Sequence, residues 1–285
     1  MPSNALRRVP LSSPEEAIRA IEEDGGVILT DFTSVSEVEE VNSDMAPFMS
    51  AEDLDSPQAG RTNCSLVYGR SKVAREDWLN NDDLLTIVNH FLRTTDFQWG
   101  AQRSQDALIS MAFTILTKPG TEGTGYHRDD HIWQTTHKSQ EASGYQKGSD
   151  LGINLMVPGT DSTKEIGATK IIPGSHLWGD GHEANPEDGV HAEMKMGEAF
   201  VFLASAVHAG SPNLSAETRI MHTFFFCRGW VRQEDNQFVW WKREEVEKWS
   251  QKAQKLAGYI GNTDVGTCNF KQPLDSLRLL DSIST

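Results

Sequence analysis

Short apolar runs separated by turn-forming residues fill the middle of the chain, and this pattern most restricts the possible folds. Clusters such as Lys118-Pro119-Gly120 and Ile172-Pro173-Gly174 lie between the runs. Strands of this length with frequent turns are typical of an antiparallel β sandwich or barrel. We therefore predict a mainly β core. Its strands are expected at Leu108–Leu116, Leu151–Val157, Lys170–Ile172, Ala199–Leu203 and Ile220–Phe226.

Helical patterns lie on both sides of this region. Ser13 and Pro14 precede two acidic residues and an amphipathic stretch that ends at Gly25, which predicts a helix. A second helical pattern covers Arg243 to Leu256, and no repeat or linker divides the chain. We therefore predict a single domain over residues 1–285. It has a helical N-terminal part at about 1–107, a β core at about 108–230, and a C-terminal helix and tail at 231–285.

The composition restricts partners and location. The chain has 41 acidic and 26 basic residues, and its formal charge of −15 disfavours a nucleic acid partner. It contains no run of about 18 apolar residues, so no membrane span is expected. The N-terminus lacks the apolar run of a secretory signal, and three widely spaced cysteines fit a reducing compartment. We expect a cytoplasmic protein.

The densest group of metal-ligand residues lies between the first two core runs. His127 and Asp129 are two residues apart, so on a strand or its exit loop their side chains point the same way. His208 follows a distant apolar run and is the candidate for a third ligand. Two histidines and one carboxylate leave positions open on an octahedral ion, as in non-haem Fe(II) oxygenases.

Arg219 adds a second element to this pattern. It follows His208 by eleven residues and lies at the start of an apolar run, where a buried guanidinium requires an anion. A carboxylate beside the metal is one such anion; a structural ion pair with an acidic residue is the alternative.

Taken together, the order of His127, Asp129, His208 and Arg219 resembles the phytanoyl-CoA hydroxylase superfamily of Fe(II)/2-oxoglutarate dioxygenases. The segment Gly167–His176 is similar to the family's strand and turn ending in Pro-Gly-Ser-His, and Gln254–Tyr259 is similar to fungal natural-product members. The resemblance implies a double-stranded β-helix (jelly-roll, cupin-like) core with flanking helices. It also implies Fe(II) held by the three ligands, with 2-oxoglutarate and O2 as co-substrates.

The resemblance further implies how 2-oxoglutarate is bound. Arg219 and Thr169 would hold its distal carboxylate. Members of the family often place a Gln just before the first His to contact the metal-side carboxylate, and here Thr124 lies in that region. Gln102 or Gln134 could replace the missing amide, and the sequence does not choose between them.

The substrate expected from the resemblance is a hydrophobic small molecule, a terpenoid or alkaloid intermediate of secondary-metabolite biosynthesis. Cys227 occupies the position where one relative has a catalytic Tyr, so hydroxylation, desaturation or rearrangement is favoured over endoperoxidation. Asp129 retains the carboxylate that halogenating relatives lack. Similar fungal enzymes form homodimers, and a homodimer is expected here. By family position, the substrate pocket comprises Asn63, Leu66, Tyr68, Met111, His131, Ile132, Phe226 and Cys227.

Two other functions remain open at this level. A catalytically silent jelly-roll protein could use the same pocket for binding, or could be the partner subunit of an active dioxygenase. A zinc hydrolase could also use two histidines and a carboxylate. The sequence lacks the helical HExxH pattern of many such hydrolases, and a hydrolase would leave Arg219 unexplained.

Overall fold

The computed structural model describes residues 5–49, 59–98 and 100–260 of the chain. The end of the predicted C-terminal tail, residues 261–285, lies outside this part. Within it the strands are β1 (Arg8–Pro10), β2 (Gly26–Thr30), β3 (Arg61–Ser65), β4 (Thr94–Gln98), β5 (Ala101–Gln105), β6 (Leu108–Thr117), β7 (Gly152–Pro158), β8 (Lys170–Ile171), β9 (Val190–His191), β10 (Ala199–Leu203), β11 (His208–Ala209) and β12 (Arg219–Cys227).

These strands form a large mixed sheet and two small ones. The large sheet has the order β1-β2-β10-β7-β12-β6-β3, and all its pairs are antiparallel except β1 with β2. A second sheet has the order β11-β8-β9. Its buried side chains pack against one face of the large sheet in a shared apolar cluster. Strands β4 and β5 pair separately as a hairpin. The described strands therefore form separate sheets rather than one closed barrel.

The two faces of the large sheet pack against different partners. Leu155 of β7 and Phe224 of β12 face the helices, in a hydrophobic core that extends from Val9 to Tyr259. Met156 and Phe202 lie on the other face, together with Ile171 of the small sheet. Because side chains alternate along a strand, each core strand contributes apolar side chains to both layers. The sequence of each core strand is therefore almost continuously apolar.

Helices cover the first of these faces. Pro14 begins the first helix, and Gly25 ends it in the left-handed region (φ 82°), where its N–H bonds to the carbonyl of Ile21. Asn81 caps another helix by accepting bonds from two backbone N–H groups. The helices are α1 (Pro14–Asp24), α2 (Val35–Met49), α3 (Val67–Arg70), α4 (Asp82–Leu92), α5 (Gln237–Trp240), α6 (Arg243–Val246) and α7 (Gln251–Leu256), with a π-helical turn at Val73–Trp78 and 3-10 turns at Asp129–Trp133, Ser175–Leu177 and Pro186–Asp188.

The predicted fold class, a mainly β core with flanking helices, is confirmed. In the part of the chain that the structure describes, none of the helices has the length and apolar character needed to cross a membrane.

Candidate metal centre and cavity

Backbone hydrogen bonds bring the three predicted metal ligands together. His127 and His208 form an isolated antiparallel bridge, in which each N–H donates to the other's carbonyl at 2.9 Å. The N–H of Asp129 donates to the carbonyl of Ala204 at 2.9 Å, just after β10 ends. Residues far apart in sequence are thus fixed side by side before any side chain contributes.

The side chains converge on one point. Nδ1 of His127 donates to the carbonyl of Gly125 at 2.9 Å, and Nδ1 of His208 donates to that of Ala206 at 3.0 Å. These bonds leave both Nε2 atoms as the ligand atoms. They lie 3.5 Å and 3.3 Å from the two carboxylate oxygens of Asp129, and the ligand atoms of the trio are all within 4.8 Å of one another.

Asn154 of β7 orients the carboxylate. Its amide Nδ2 donates to Oδ2 of Asp129 at 2.7 Å, and the residue is almost completely buried. Burial by itself would raise the pKa of Asp129, but His208 and His127 hold that pKa well below its usual range. Burial likewise opposes charge on His208, yet Asp129 raises the pKa of that imidazole. The site is therefore a carboxylate between two imidazoles, a donor set that fits a divalent iron ion.

A cavity of about 370 Å³ opens beside these ligands. Its wall is formed by the large sheet, by residues in or beside the β11-β8-β9 sheet, and by the loop before His127. Phe113 and Phe225 stack with ring centroids 5.5 Å apart, and Phe202 lies 4.9 Å from the His208 ring. Besides the metal ligands, the lining residues are Arg61, Asn63, Phe113, Ile115, Thr124, Met156, Thr169, Phe202, Gly210, Arg219, Thr223 and Phe225.

Two guanidinium groups enter this cavity. Arg219 is 1% exposed; its Nη1 donates to the carbonyl of Gly167, and its Nε is buried without a hydrogen-bond partner among the described residues. Burial, followed by the nearby positive charge of Arg61, lowers the pKa of Arg219 to about 9. Of the residues that line the cavity, Asp129 alone carries a carboxylate. The described lining of the cavity therefore presents two cations beside one metal-ligand carboxylate, an arrangement that favours binding of an anion.

The structure brings several predicted residues into this cavity and leaves others outside it. Thr169, Thr124 and Asn63 line it together with the ligands and Arg219. Gln102 is exposed in the β4-β5 hairpin, and Gln134 is exposed at the end of a 3-10 turn; neither lines the cavity.

The predicted substrate residues on strands and helices are mostly displaced from the wall. Phe226 lies on the helix-facing side of β12, and Cys227 is buried near the carbonyl of Val231. Tyr68 donates to the carbonyl of Ala253 at 2.7 Å inside the core, and Leu66 is buried before α3. Met111 shares a face of β6 with Phe113 and Ile115 but lies beyond the cavity.

His131 and Ile132 follow the metal ligand on an exposed 3-10 turn. The His131 ring lies 6.5 Å from that of His127, and Ile132 is 37% exposed. Both flank the metal site and neither lines the cavity.

Several residues of the metal centre and the cavity were not predicted from the sequence. Arg61 and Asn154 lie on strands that reach the site through long-range pairing. Thr223 and Phe225 follow Arg219 at even spacing on the same strand, so strand alternation alone predicts that all three side chains lie on one face.

A jelly-roll sheet that presents two histidines, one carboxylate and a buried arginine defines a class, the non-haem iron oxygenases. The comparisons with known proteins identify the family. The phytanoyl-CoA dioxygenase (PhyH) family matches residues 21–221, and the chain belongs to this family. It is a non-haem Fe(II)/2-oxoglutarate-dependent dioxygenase, as the sequence predicted.

Fungal relatives match nearly the whole chain. Dioxygenase swnH2 of Arthroderma benhamiae is 30% identical over 274 residues, which cover 90% of this chain and 85% of the relative. Dioxygenase cnsJ of Penicillium expansum is 29% identical over 272 residues, covering 91% and 80% of the two chains.

Solved structures share the fold at low identity. The alpha-ketoglutarate-dependent epimerase SnoN from nogalamycin biosynthesis superposes with a TM-score of 0.59 at 15% identity, covering 80% of this chain and 86% of SnoN. HygX from Streptomyces hygroscopicus, solved with nickel and 2-oxoglutarate bound, gives a TM-score of 0.58 at 13% identity, covering 76% and 88%.

Proposed function

We propose that this dioxygenase oxidises a small hydrophobic molecule, a terpenoid or alkaloid intermediate of secondary-metabolite biosynthesis, by hydroxylation, desaturation or rearrangement. One observation carries the proposal: a single cavity joins the metal ligands, Arg219 and a largely apolar wall. The similarity to fungal dioxygenases supports a role in secondary metabolism. An apolar wall with a few placed polar groups is typical of sites for small organic ligands.

In this proposal His127, Asp129 and His208 hold Fe(II), and Asn154 fixes the carboxylate. The bound iron, with 2-oxoglutarate and O2, supplies the oxidising power for an unactivated C–H bond. Arg219 binds the distal carboxylate of 2-oxoglutarate as a bidentate fork. Thr169 lies in the same wall, where its hydroxyl can turn from Met156 Sδ at 3.8 Å toward that carboxylate.

The apolar residues have the complementary task of holding the substrate. Phe113 and Phe225 form one stacked wall, and Phe202 packs against the ligand His208. Such surfaces exclude water and orient the substrate, while Asn63 and Thr223 offer polar groups on the same face. The chain's role is therefore orientation and protection, which decides which hydrogen atom is removed.

Anaerobic titration tests the metal and co-substrate assignments. Fe(II) and then 2-oxoglutarate are added to the metal-free protein, with visible absorbance as the readout. A weak charge-transfer band that needs both additions and is absent in His208→Ala supports the assignments. Iron binding without this band contradicts them.

Turnover tests the substrate class. Succinate formation is measured with a panel of terpenoids and alkaloids, and with polar compounds of matched size as controls. Stimulation by the apolar members supports the proposal. Binding of these compounds without any turnover of 2-oxoglutarate would instead favour a silent binding protein.

Three further expectations belong to the proposal: a single domain, a cytoplasmic location and a homodimer. The continuous core from Val9 to Tyr259 supports one domain, and the buried free thiols of Cys64 and Cys227 agree with a reducing compartment. Near the C-terminus Phe238 and Trp240 are exposed, which supports a contact with a second copy. Light scattering coupled to size exclusion measures the oligomeric state, and a monomer at micromolar concentration contradicts this part.

A further inference from the structure

Asp130 follows the metal ligand Asp129 in the chain and is a buried acid. It is 1% exposed, and its Oδ1 has no hydrogen-bond partner in the part of the chain that the structure describes. Its Oδ2 lies 2.8 Å from Nε2 of His137. Arg128 directs its guanidinium elsewhere, to Asp180 and to backbone carbonyls. Among the described residues, His137 is therefore the ion-pair partner of this buried carboxylate.

The His137 ring lies between two carboxylates, one buried and one at the surface. Its Nδ1 is 3.0 Å from Oδ1 of Asp180, whose side chain is 52% exposed, and its Nε2 faces Asp130. Ionised carboxylate oxygens only accept hydrogen bonds, so both ring nitrogens donate and the ring is an imidazolium. The hydrogen bond to Asp130 accordingly raises the pKa of His137. This geometry places one positive charge next to the buried acid.

Backbone hydrogen bonds fix His137 against the segment that contains Asp180. The N–H of His137 donates to Oδ2 of Asp180 at 3.0 Å, and the N–H of Asp180 donates to the carbonyl of His137 at 3.2 Å. A third bond, from the N–H of Gln140 to the carbonyl of Leu177 at 2.7 Å, joins the same two segments. The imidazolium therefore reaches Asp130 from a defined backbone position.

The 3-10 turn Asp129–Trp133 connects this ion pair to the metal ligands. The N–H groups of Asp129 and Asp130 both donate to the carbonyl of Ala204, at 2.9 and 3.3 Å. The carboxylate of Asp129 contacts the two histidine ligands, whereas that of Asp130 contacts His137. Because a single rigid peptide unit separates the two residues, a movement of Asp130 shifts Asp129 as well.

We propose that His137 is a positioning residue for the metal centre: its imidazolium holds Asp130 and so fixes the turn that presents Asp129 to Fe(II). The inference rests on the metal site of the proposed function. Without His137 the charge of Asp130 would be buried and unpaired, which is costly. The carboxylate would rotate toward water, and the turn that carries the metal ligand would move with it.

Fe(II) binding in two variants tests this role, with anaerobic calorimetry as the measurement of the Kd. His137→Gln removes the charge, and it is expected to raise the Kd about tenfold. In Asp130→Asn/His137→Gln the acid is neutral as well, and the two amides can hydrogen-bond to each other. The double variant is therefore expected to restore the Kd to within about threefold of that of the unchanged protein.

His182→Gln is the matched control. The His182 ring stacks on Trp178 with centroids 3.7 Å apart, and its Nδ1 lies 3.9 Å from Glu141. This variant removes an imidazole two residues from Asp180 and leaves the pair of His137 with Asp130 intact. It should bind Fe(II) as the unchanged protein does.

Asp130→Ala extends the test to a variant with no acid at this point, so that its folding does not require a counter-charge. It removes the group that His137 holds and should also raise the Kd about tenfold. A Kd within about twofold of the unchanged protein in either single variant, with the fold intact by circular dichroism, overturns the proposal. A double variant that binds as weakly as His137→Gln also overturns it, because the loss would not come from the unpaired acid. Absence of Fe(II) binding in the unchanged protein would instead overturn the proposed function.

Discussion

Replacing Asn154 by Leu should weaken Fe(II) binding although Asn154 is not a ligand. Its Nδ2 donates to Oδ2 of Asp129 at 2.7 Å, the same oxygen that lies 3.3 Å from Nε2 of His208. Leu keeps a similar volume but donates no hydrogen bond, so the carboxylate is free to rotate against the imidazoles. A hydrogen bond to a charged group contributes about 1.5–3 kcal/mol. Residues that orient metal ligands typically change metal affinity about 10- to 100-fold.

The two magnitudes agree, because about 1.4 kcal/mol corresponds to a tenfold change in Kd. Anaerobic calorimetry with Fe(II) measures the Kd directly. Thr223→Val is the matched control: it changes a residue of the same cavity whose hydroxyl has no partner among the described residues. It should bind iron as the unchanged protein does. Thermal unfolding of the metal-free proteins verifies that the variants fold.

One result would refute this reasoning. If Asn154→Leu folds and binds Fe(II) within twofold of the unchanged protein, while His208→Ala does not bind, then the amide does not orient the carboxylate. The backbone bond from Asp129 to Ala204 would then be sufficient to hold the ligand in place.

Three predictions concern stability, and each is measured by denaturant unfolding. Burial lowers the pKa of His222 to about 3, so this imidazole is neutral in the fold and takes up a proton on unfolding below its ordinary pKa of about 6.5. Its contribution is fully present above pH 6.5 and is lost as the pH falls, by about 1.4 kcal/mol per unit; His222→Gln should reduce this slope, and an equal slope would contradict the argument. Phe226→Ala should lower the free energy of unfolding by about 3–5 kcal/mol, and Phe225→Ala, at the cavity wall, by clearly less; a reversed order would place the two side chains on the wrong faces. Gly26→Ala should cost about 1–3 kcal/mol because its Cβ would lie 2.8 Å from Cβ of Phe202, and unchanged stability would mean that β10 moves freely.

The local spacing and order of residues in the sequence were sufficient to predict the metal ligands and the fold class. His127 and Asp129 are neighbours in sequence, and His208 follows an apolar strand that ends in small residues. The fold class followed from the repeated short strands. The backbone bridge between His127 and His208 is what turns these local signals into one site.

The remaining residues depend on pairings that one sequence does not specify. Arg61 reaches the cavity because β3 pairs with β6, about fifty residues further along the chain. Asn154 is aligned with Phe225 and Phe202 through β7 and its neighbours. The sequence around Arg61 and Asn154 does not indicate which residues they contact, because these contacts depend on the strand register. Phe226 was expected in the substrate pocket, but it lies in the core, and its neighbour Phe225 lines the cavity. A shift of one residue along a strand moves a side chain to the other face of the sheet.

The side chains of β12 alternate between the two faces of the large sheet. Arg219, Thr223 and Phe225 face the cavity, whereas Phe224 and Phe226 belong to the core against the helices. The same alternation holds along β6, where Phe113 and Ile115 line the cavity and Ala112 is in the core. We therefore expect substitutions on the cavity face to change binding, and those on the helix-facing side to change stability. Arg219 and Asn154 also lie on the cavity face, so we expect substitutions of Phe113, Ile115 and Phe225 to alter substrate binding while metal binding is kept.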